Sequence, residues 1–419
     1  MCDGEGDRGG NPLAPDRQLV TIAGPGLRLR NRQWKPKKSR YTPMRQRWVI
    51  LTGEYPPRLG GVSAYCRLLA CGLAEQGDSV YVCAPGSPRS ESGVTTWSLP
   101  DHYRLRSLWW LDHHLQRLRP DRLLLQYTPH AFGYKAMNLP FAAWLALRAK
   151  RIAPLWVMFH EVAFPFSWRP AKYMLLAGVH RLMARLLVSA AQRIFVATPA
   201  WEMLVRRCAP RCTSIEWLPV PSNIPVYHNP SITAALRLRY APPHNPLVGH
   251  FGTYGPAISR LLIPTLQQIA RQRTDVHFLL LGRRAAEFCQ QLLPAEPMLA
   301  GRLHVLAETS DEAVSLHLQI CDLLLQPYPD GVTSRRTTVM AGLAHGVPIV
   351  SNRGTLSEGF WTDEVVAVAS SPDPEALADR VMALLDDSAR RYALGQRGAE
   401  LYRHRFALEH TIARLREPR

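Results

Sequence analysis

No apolar run in this sequence reaches the ~20 residues that a membrane-spanning helix requires, and no secretory leader is visible. Any association with a bilayer is therefore expected to be peripheral. Metal-site spacing is lacking too. The eight cysteines are scattered, no CxxC pair or Cys/His cluster has zinc spacing, and Cys208 and Cys212 stand too alone to count. Cys66, Cys71 and Cys83 fall in segments that read as core. This usage fits a reducing compartment, so a cytoplasmic location is expected, including the inner face of a membrane. Acidic residues are scarce, 33 against 51 basic ones, which leaves a net charge of +18. That excess implies an anionic partner: a nucleotide, a nucleic acid or an acidic lipid surface. Part of it sits in residues 1–45, where Gly- and Pro-rich sequence runs into Arg28, Arg30, Arg32, Lys35, Lys37, Lys38 and Arg40. The stretch reads as a disordered basic tail, either a solubilising leader or a contact for a membrane or RNA. No aromatic-interleaved motif accompanies it, which disfavours nucleic acid.

What is present suffices for two packed cores: 419 residues, 47% of them hydrophobic, exceed the size at which one core usually stops growing. Short β-rich apolar runs alternate with longer helical stretches, the pattern of parallel α/β sheets. Strands are predicted at 48–52, 79–83, 122–126, 155–159 and 194–197, with helices at 62–76, 105–118, 137–150 and 172–190. After a Pro-rich connection, 218–225, the rhythm restarts. Strands are predicted at 247–251, 276–281, 323–326 and 347–351, and helices at 256–271, 311–320, 335–345 and 374–385. The fold class is α/β, with two doubly wound, Rossmann-like domains joined by a proline-containing hinge. Their ligand cleft lies between the carboxyl ends of both sheets.

The richest stretch is Pro327-Tyr-Pro-Asp-Gly-Val-Thr-Ser-Arg-Arg-Thr-Thr338. A buried strand feeds a helix with Thr333 or Ser334 as its cap, Gly346 as its stop and Pro348 blocking continuation. Asp330, Gly331, Ser334, Arg335, Arg336 and Thr337 then surround a helix start. Free N–H groups, dipole and guanidinium forks there favour a doubly charged anion; an ordinary solvated helix start is the plainer alternative. Two glycine turns follow first strands. One, Thr52-Gly-Glu-Tyr-Pro-Pro-Arg-Leu-Gly-Gly-Val62, carries Gly60 and Gly61. The other, Gly252-Thr-Tyr-Gly-Pro256, carries Thr253 and Tyr254. Both can bring backbone close to a ligand. Neither is GxGxxG, and no acid stands at nicotinamide-ribose distance, which argues against a dehydrogenase. His160 and Glu161 follow the strand at 155–159, and Tyr127, His130 and Asn138 follow the preceding one, so all five are placed on the same cleft. The apolar stripe Leu175, Leu176, Val179, Leu182, Met183 and Leu186 reads as core packing. Trp109 and Trp110, beside Arg104 and Arg106, are the better candidates for an interface with lipid.

Residues 46–405 resemble the retaining, nucleotide-sugar-dependent glycosyltransferases of the GT-B fold, family-4 type. The likeness is carried by Leu51-Thr-Gly-Glu-Tyr-Pro-Pro-Arg-Leu-Gly-Gly-Val, by His160 after a strand, by Ala344-His-Gly-Val-Pro-Ile-Val and by Pro372-Asp-Pro-Glu-Ala-Leu-Ala-Asp-Arg-Val. It implies an acceptor domain at 46–222, a donor domain at 223–400 and a terminal helix within 401–419 that crosses back to the first domain. It also implies a nucleoside diphosphate sugar as co-substrate, no further cofactor or metal, and a glycan, lipid-linked or small-molecule acceptor, as in polysaccharide biosynthesis. His160 and Glu161 become the catalytic candidates. Gly60, Gly61, Gly252, Thr253, Tyr254 and the 330–337 residues become donor-side, and Tyr127, His130 and Asn138 acceptor-side. Two departures stand out. The family's two glutamates, eight residues apart, fall on Thr333 and Ala341, and its loop arginine and lysine fall on Thr253 and Ile258. Arg335 and Arg336 then look like relocated phosphate cations. The alternatives are a catalytically degenerate GT-B binding protein and a GT-B nucleotide-sugar epimerase.

Overall fold

Strands that are apolar on both faces need cover on both, and the chain supplies it with helices. The computed structural model describes residues 45–133, 136–163, 172–208, 214–307 and 309–417; the basic stretch 1–44 lies outside them, as does Cys212. The first half runs β1 (Arg47–Thr52), α1 (Gly61–Glu75), β2 (Ser79–Pro85), β3 (Val94–Tyr103), α2 (Leu105–Leu118), β4 (Arg122–Tyr127), α3 (Leu139–Trp144), α4 (Lys150–Ile152), β5 (Leu155–Phe159), α5 (Lys172–Ala190), β6 (Arg193–Val196), α6 (Glu202–Arg206) and β7 (Ile215–Trp217). Its strands form a parallel sheet in the order β3-β2-β1-β4-β5-β6-β7. The period of two along a strand divides β1 between two cores. Trp48 and Ile50 pack with Leu69 and Trp156 on one face, Val49 and Leu51 with Leu123 and Phe159 on the other.

The second half runs α7 (Pro230–Tyr240), β8 (Leu247–Phe251), α8 (Pro256–Gln272), β9 (His277–Leu281), α9 (Ala285–Leu292), β10 (Leu303–Leu306), α10 (Asp311–Gln319), β11 (Leu323–Leu325), α11 (Thr337–Ala344), β12 (Ile349–Asn352), β13 (Ala367–Ala369), α12 (Pro374–Leu385), α13 (Ser388–Arg405) and α14 (Leu408–Arg416). Its parallel sheet has the order β10-β9-β8-β11-β12-β13. In both sheets the first strand is central and the order reverses beside it, which opens a crevice at the carboxyl ends of β1/β4 and β8/β11. The chain then returns to the first sheet. Ile412 and Leu415 of α14 join the core beneath α1, where a Cβ on Gly72 would stand 3.0 Å from Ile412. Arg416 pairs with the buried Asp78 at 3.1 Å.

Several predicted boundaries move. The helix predicted at 335–345 starts at Thr337: the Arg336 amide closes a turn onto Thr333 O at 3.1 Å, so neither Thr333 nor Ser334 caps it. The helix predicted at 137–150 is α3, a wider π segment at Leu145–Ala149 and then α4. β3, β7, β10 and β13 add strands that the apolar runs did not announce. On α5, Met183 is buried as core packing requires, but Leu175 and Leu182 face solvent.

Candidate active site

Each strand end delivers a different chemistry to the crevice. After β5, His160 is held by Gln126, whose Oε1 lies 2.8 Å from the ring Nε2, and by the edge of Tyr65 at 5.0 Å between centroids. Burial pushes its pKa down to about 4, so the imidazole is neutral in neutral solution. Its carbonyl accepts from Trp201 Nε1. The Gln126 Nε2, Thr128 Oγ1, Tyr55 OH and Tyr65 OH atoms are buried without a protein partner. Buried polar atoms seldom stay unpaired, so this end of the sheet has unspent hydrogen-bonding capacity.

Glu161 belongs to a charged chain at the mouth. His130 Nδ1 lies 3.3 Å from Glu161 and its Nε2 3.8 Å from Glu54. The hydrogen bond to Glu161 raises the His130 pKa. Burial alone would raise the Glu161 carboxyl, but that bond and the charges of His130 and Arg335 hold it below the ordinary value. Arg335 is therefore felt across the crevice from the other sheet.

The loop after β11 bears both arginines. Arg335 pairs with Asp330 Oδ2 at 2.5 Å and Arg336 with Asp330 Oδ1. Arg335 lies over Trp201 and Arg336 over Tyr328, 5.6 and 4.4 Å from the ring centroids. Burial and the adjacent Arg336 charge lower the Arg335 pKa. One carboxylate thus serves two guanidiniums, and both Nε atoms are buried without a partner. The loop's shape depends on Gly331, at φ +86°, whose Cβ would stand 2.3 Å from Gly354 N. Asp330 itself is the predicted residue whose role changes most: it organises the two cations.

Several other predicted residues are taken up in packing or backbone hydrogen bonds. Tyr127 is fully buried among Phe132 and Phe159. Asn138 caps α3 by accepting from Phe141 N and donates to Tyr103 O. Of the three acceptor-side candidates only His130 is exposed, because the other two are consumed in packing. Gly252 gives its amide to Leu281 O and passes against Gly282, which removes it as a phosphate donor. Tyr254 is buried with its hydroxyl on His250 O and Leu281 O, whereas Thr253 is exposed. Gly61 has nothing within 4 Å of a Cβ, and Gly60 only Glu54. Thr337 opens α11. At the two positions where the resemblance expects glutamates, Thr333 and Ala341 are fully buried. The residue that the sequence reading missed is Glu358, a buried carboxylate touching Ser334; a lone glutamate in a loop carries no pattern.

Two Rossmann-like domains with parallel sheets and a returning terminal helix are the architecture of the GT-B fold. Residues 60–221 match the model described as a glycosyl transferase 4-like domain and residues 245–387 the model described as glycosyl transferases group 1; the chain belongs to that family. No curated protein matches the sequence. Similar solved structures include sucrose-phosphate synthase from Thermosynechococcus elongatus, at 16% identity and a TM-score of 0.65 over 88% of this chain and 97% of that one. HepE of Anabaena, in complex with UDP, has 16% identity and a TM-score of 0.66 over 88% and 98%. WaaG, a glycosyltransferase involved in lipopolysaccharide biosynthesis, has 14% and 0.62 over 88% and 98%.

Proposed function

We propose that this glycosyltransferase moves a sugar from a nucleoside diphosphate to a hydroxyl of a glycan or lipid-linked acceptor, with retention and without a metal ion. The observation that carries the proposal is the pair of guanidiniums on a single carboxylate at the end of β11. In the reaction the bond from the anomeric carbon to the diphosphate oxygen breaks and its electron pair departs with the diphosphate, while the acceptor oxygen bonds to that carbon and its proton passes to the departing diphosphate. Positive charge fixed in advance is worth most at that moment. Arg336, over Tyr328, is assigned to the diphosphate; Arg335, beside Trp201 and within the field of Glu161, spans toward the sugar. Neutral His160 offers hydrogen bonding at the sugar. The complexes of HepE with UDP and UDP-glucose favour a nucleoside diphosphate donor, and retention rests on the family-4 resemblance.

Calorimetric titration of a panel of nucleoside diphosphates into Arg335→Ala, Arg336→Ala and the double variant tests the assignment. Loss of the diphosphate contact is expected to cost about 3 kcal/mol, roughly a hundredfold in rate, and lysine to restore only part because it lacks the fork. Unchanged affinity in all three variants would refute it.

An anionic lipid surface is proposed as a second partner. Among the described residues no helix is long and apolar enough to cross a membrane. However, α2 exposes Leu105, flanked by Arg104 and Arg106, and Trp109 one turn further on, while Trp110 turns inward against Trp97. This is the composition of an interfacial helix. Trp109→Ser is expected to reduce sedimentation with phosphatidylglycerol vesicles; sedimentation equal to that of the wild type would sink the idea.

A further inference from the structure

We infer that Glu358 is a positioning residue that couples contact between the two domains to the conformation of the arginine-bearing loop. Its carboxylate, 7% exposed, collects donors from three places. Ser334 gives its amide at 3.1 Å to both oxygens and its hydroxyl at 2.5 Å to Oε1. Trp361 gives Nε1 to Oε2 at 2.7 Å. The remaining donor comes from the other domain: the Thr198 hydroxyl, just beyond β6, reaches Oε1 at 2.8 Å. Ser334 Oγ also lies 3.4 Å from Ala197 O, but it has one proton, and the shorter, charge-assisted bond to the carboxylate takes it.

Two readings compete. Glu358 approaches the residue next to Thr333, where the resemblance expects a glutamate, so it could stand in for that sugar ligand. Its lone pairs, however, are already filled by these donors. A saturated carboxylate holds protein in place and has little left for a substrate. What it holds is specific. The loop 328–334 lies on the loop 352–358: Leu356 N donates to Asp330 O and Val332 N to Asn352 O. Cβ atoms on Gly331 or Gly354 would stand within 2.4 Å of the opposite backbone. The two loops therefore move together. Glu358 fastens them to Thr198, and Arg335 and Arg336 follow Ser334 directly in the chain. Next to this link, Trp217 of the first sheet stacks on Phe360 at 5.6 Å, and Arg405 lies over both rings. The aromatic contact is apolar and tolerant of sliding; the Thr198–Glu358 bond is directional and is either made or broken.

The inference rests on reading the 330–336 loop as the donor loop, so the decisive measurement needs no ligand. Hydrogen–deuterium exchange of the loop amides is compared in wild type, Thr198→Val and Thr198→Ser. Losing a hydrogen bond to a buried carboxylate is expected to accelerate exchange at Ser334 and its neighbours about tenfold in Thr198→Val, with β8 and β9 unchanged. Thr198→Ser, which keeps the hydroxyl, is expected to restore the wild-type rate. Donor KM should rise in Thr198→Val by a similar factor, with kcat less affected. Glu358→Gln, whose amide places donors against Trp361 and Ser334, should show the same exchange pattern more strongly. Wild-type exchange in Thr198→Val overturns the coupling, as does a serine variant that behaves like valine. If exchange responds but nucleotide binding ignores both arginines, the coupling stands and the donor assignment falls.

Discussion

His160 shows what a strand end does to an ordinary side chain. Buried and neutral, with Gln126 on Nε2, it can hydrogen-bond a sugar but cannot donate a charge. His160→Ala is expected to lower turnover by at least tenfold while leaving nucleoside diphosphate affinity within about twofold, since the two arginines proposed for the diphosphate follow a strand of the other sheet. Equal losses in both parameters would place His160 in ground-state binding. Asn138 makes the opposite case. Its side chain accepts from one amide and donates to one carbonyl, so Asn138→Ala is expected to cost about 1–2 kcal/mol of stability with no change in acceptor KM. A raised KM at unchanged stability would return it to the acceptor site. His345 likewise works structurally: Nδ1 binds Ala341 O and Nε2 Ser315 Oγ, tying α11 to α10.

Among the elements, loop glycines separate geometric necessity from habit. Gly331→Ala puts a Cβ into backbone at a positive φ and is expected to destabilise the protein by at least about 2 kcal/mol. Gly61→Ala, at the start of α1 with open space around it, is expected to be neutral or stabilising by up to about 1 kcal/mol. Urea midpoints of the two variants check both. If Gly61→Ala also weakens nucleotide binding, the backbone there does approach a ligand. The sequence showed the double-glycine turn but not the demanding glycines. Gly53, whose Cβ would meet Ala131 O at 2.3 Å, looks like any turn residue until its neighbour is known. Central strands were legible because apolar runs such as the three leucines within 122–127 must be covered on both faces. β3 was not: it is an edge strand with alternating exposure and Pro100 within it. His160 could be singled out because strand ends are where such sheets bind ligands. Glu358 was not, because its meaning depends on Thr198, 160 residues away.

On the scale of the whole molecule, buried neutral histidines make the fold sensitive to acid. Burial takes both His160 and His250 down to about 4 from 6.5. It also lowers His180, His277, His304, His317 and His345. Below pH 6.5 the unfolded chain takes up protons that the native state refuses, so stability falls with pH. The loss continues until the folded pKa is passed, which places the window for the first two between about 6.5 and 4. Each of them is worth roughly 3 kcal/mol over that window. His130, raised by Glu161, works in the opposite direction but is largely exposed. Carboxylates held low by arginines, such as Asp112 and Asp275, add their loss only at lower pH, near and below the unfolded carboxylate range. Urea denaturation from pH 7.5 to 4.5 should therefore show declining stability well before carboxylates titrate. His250→Asn, which can keep the donor to Leu325 O and cannot be protonated, is expected to reduce the slope by up to about 1.4 kcal/mol per pH unit. A wild-type slope that is flat between pH 6.5 and 5, or an unchanged slope in His250→Asn, would show that these imidazoles take up protons without unfolding.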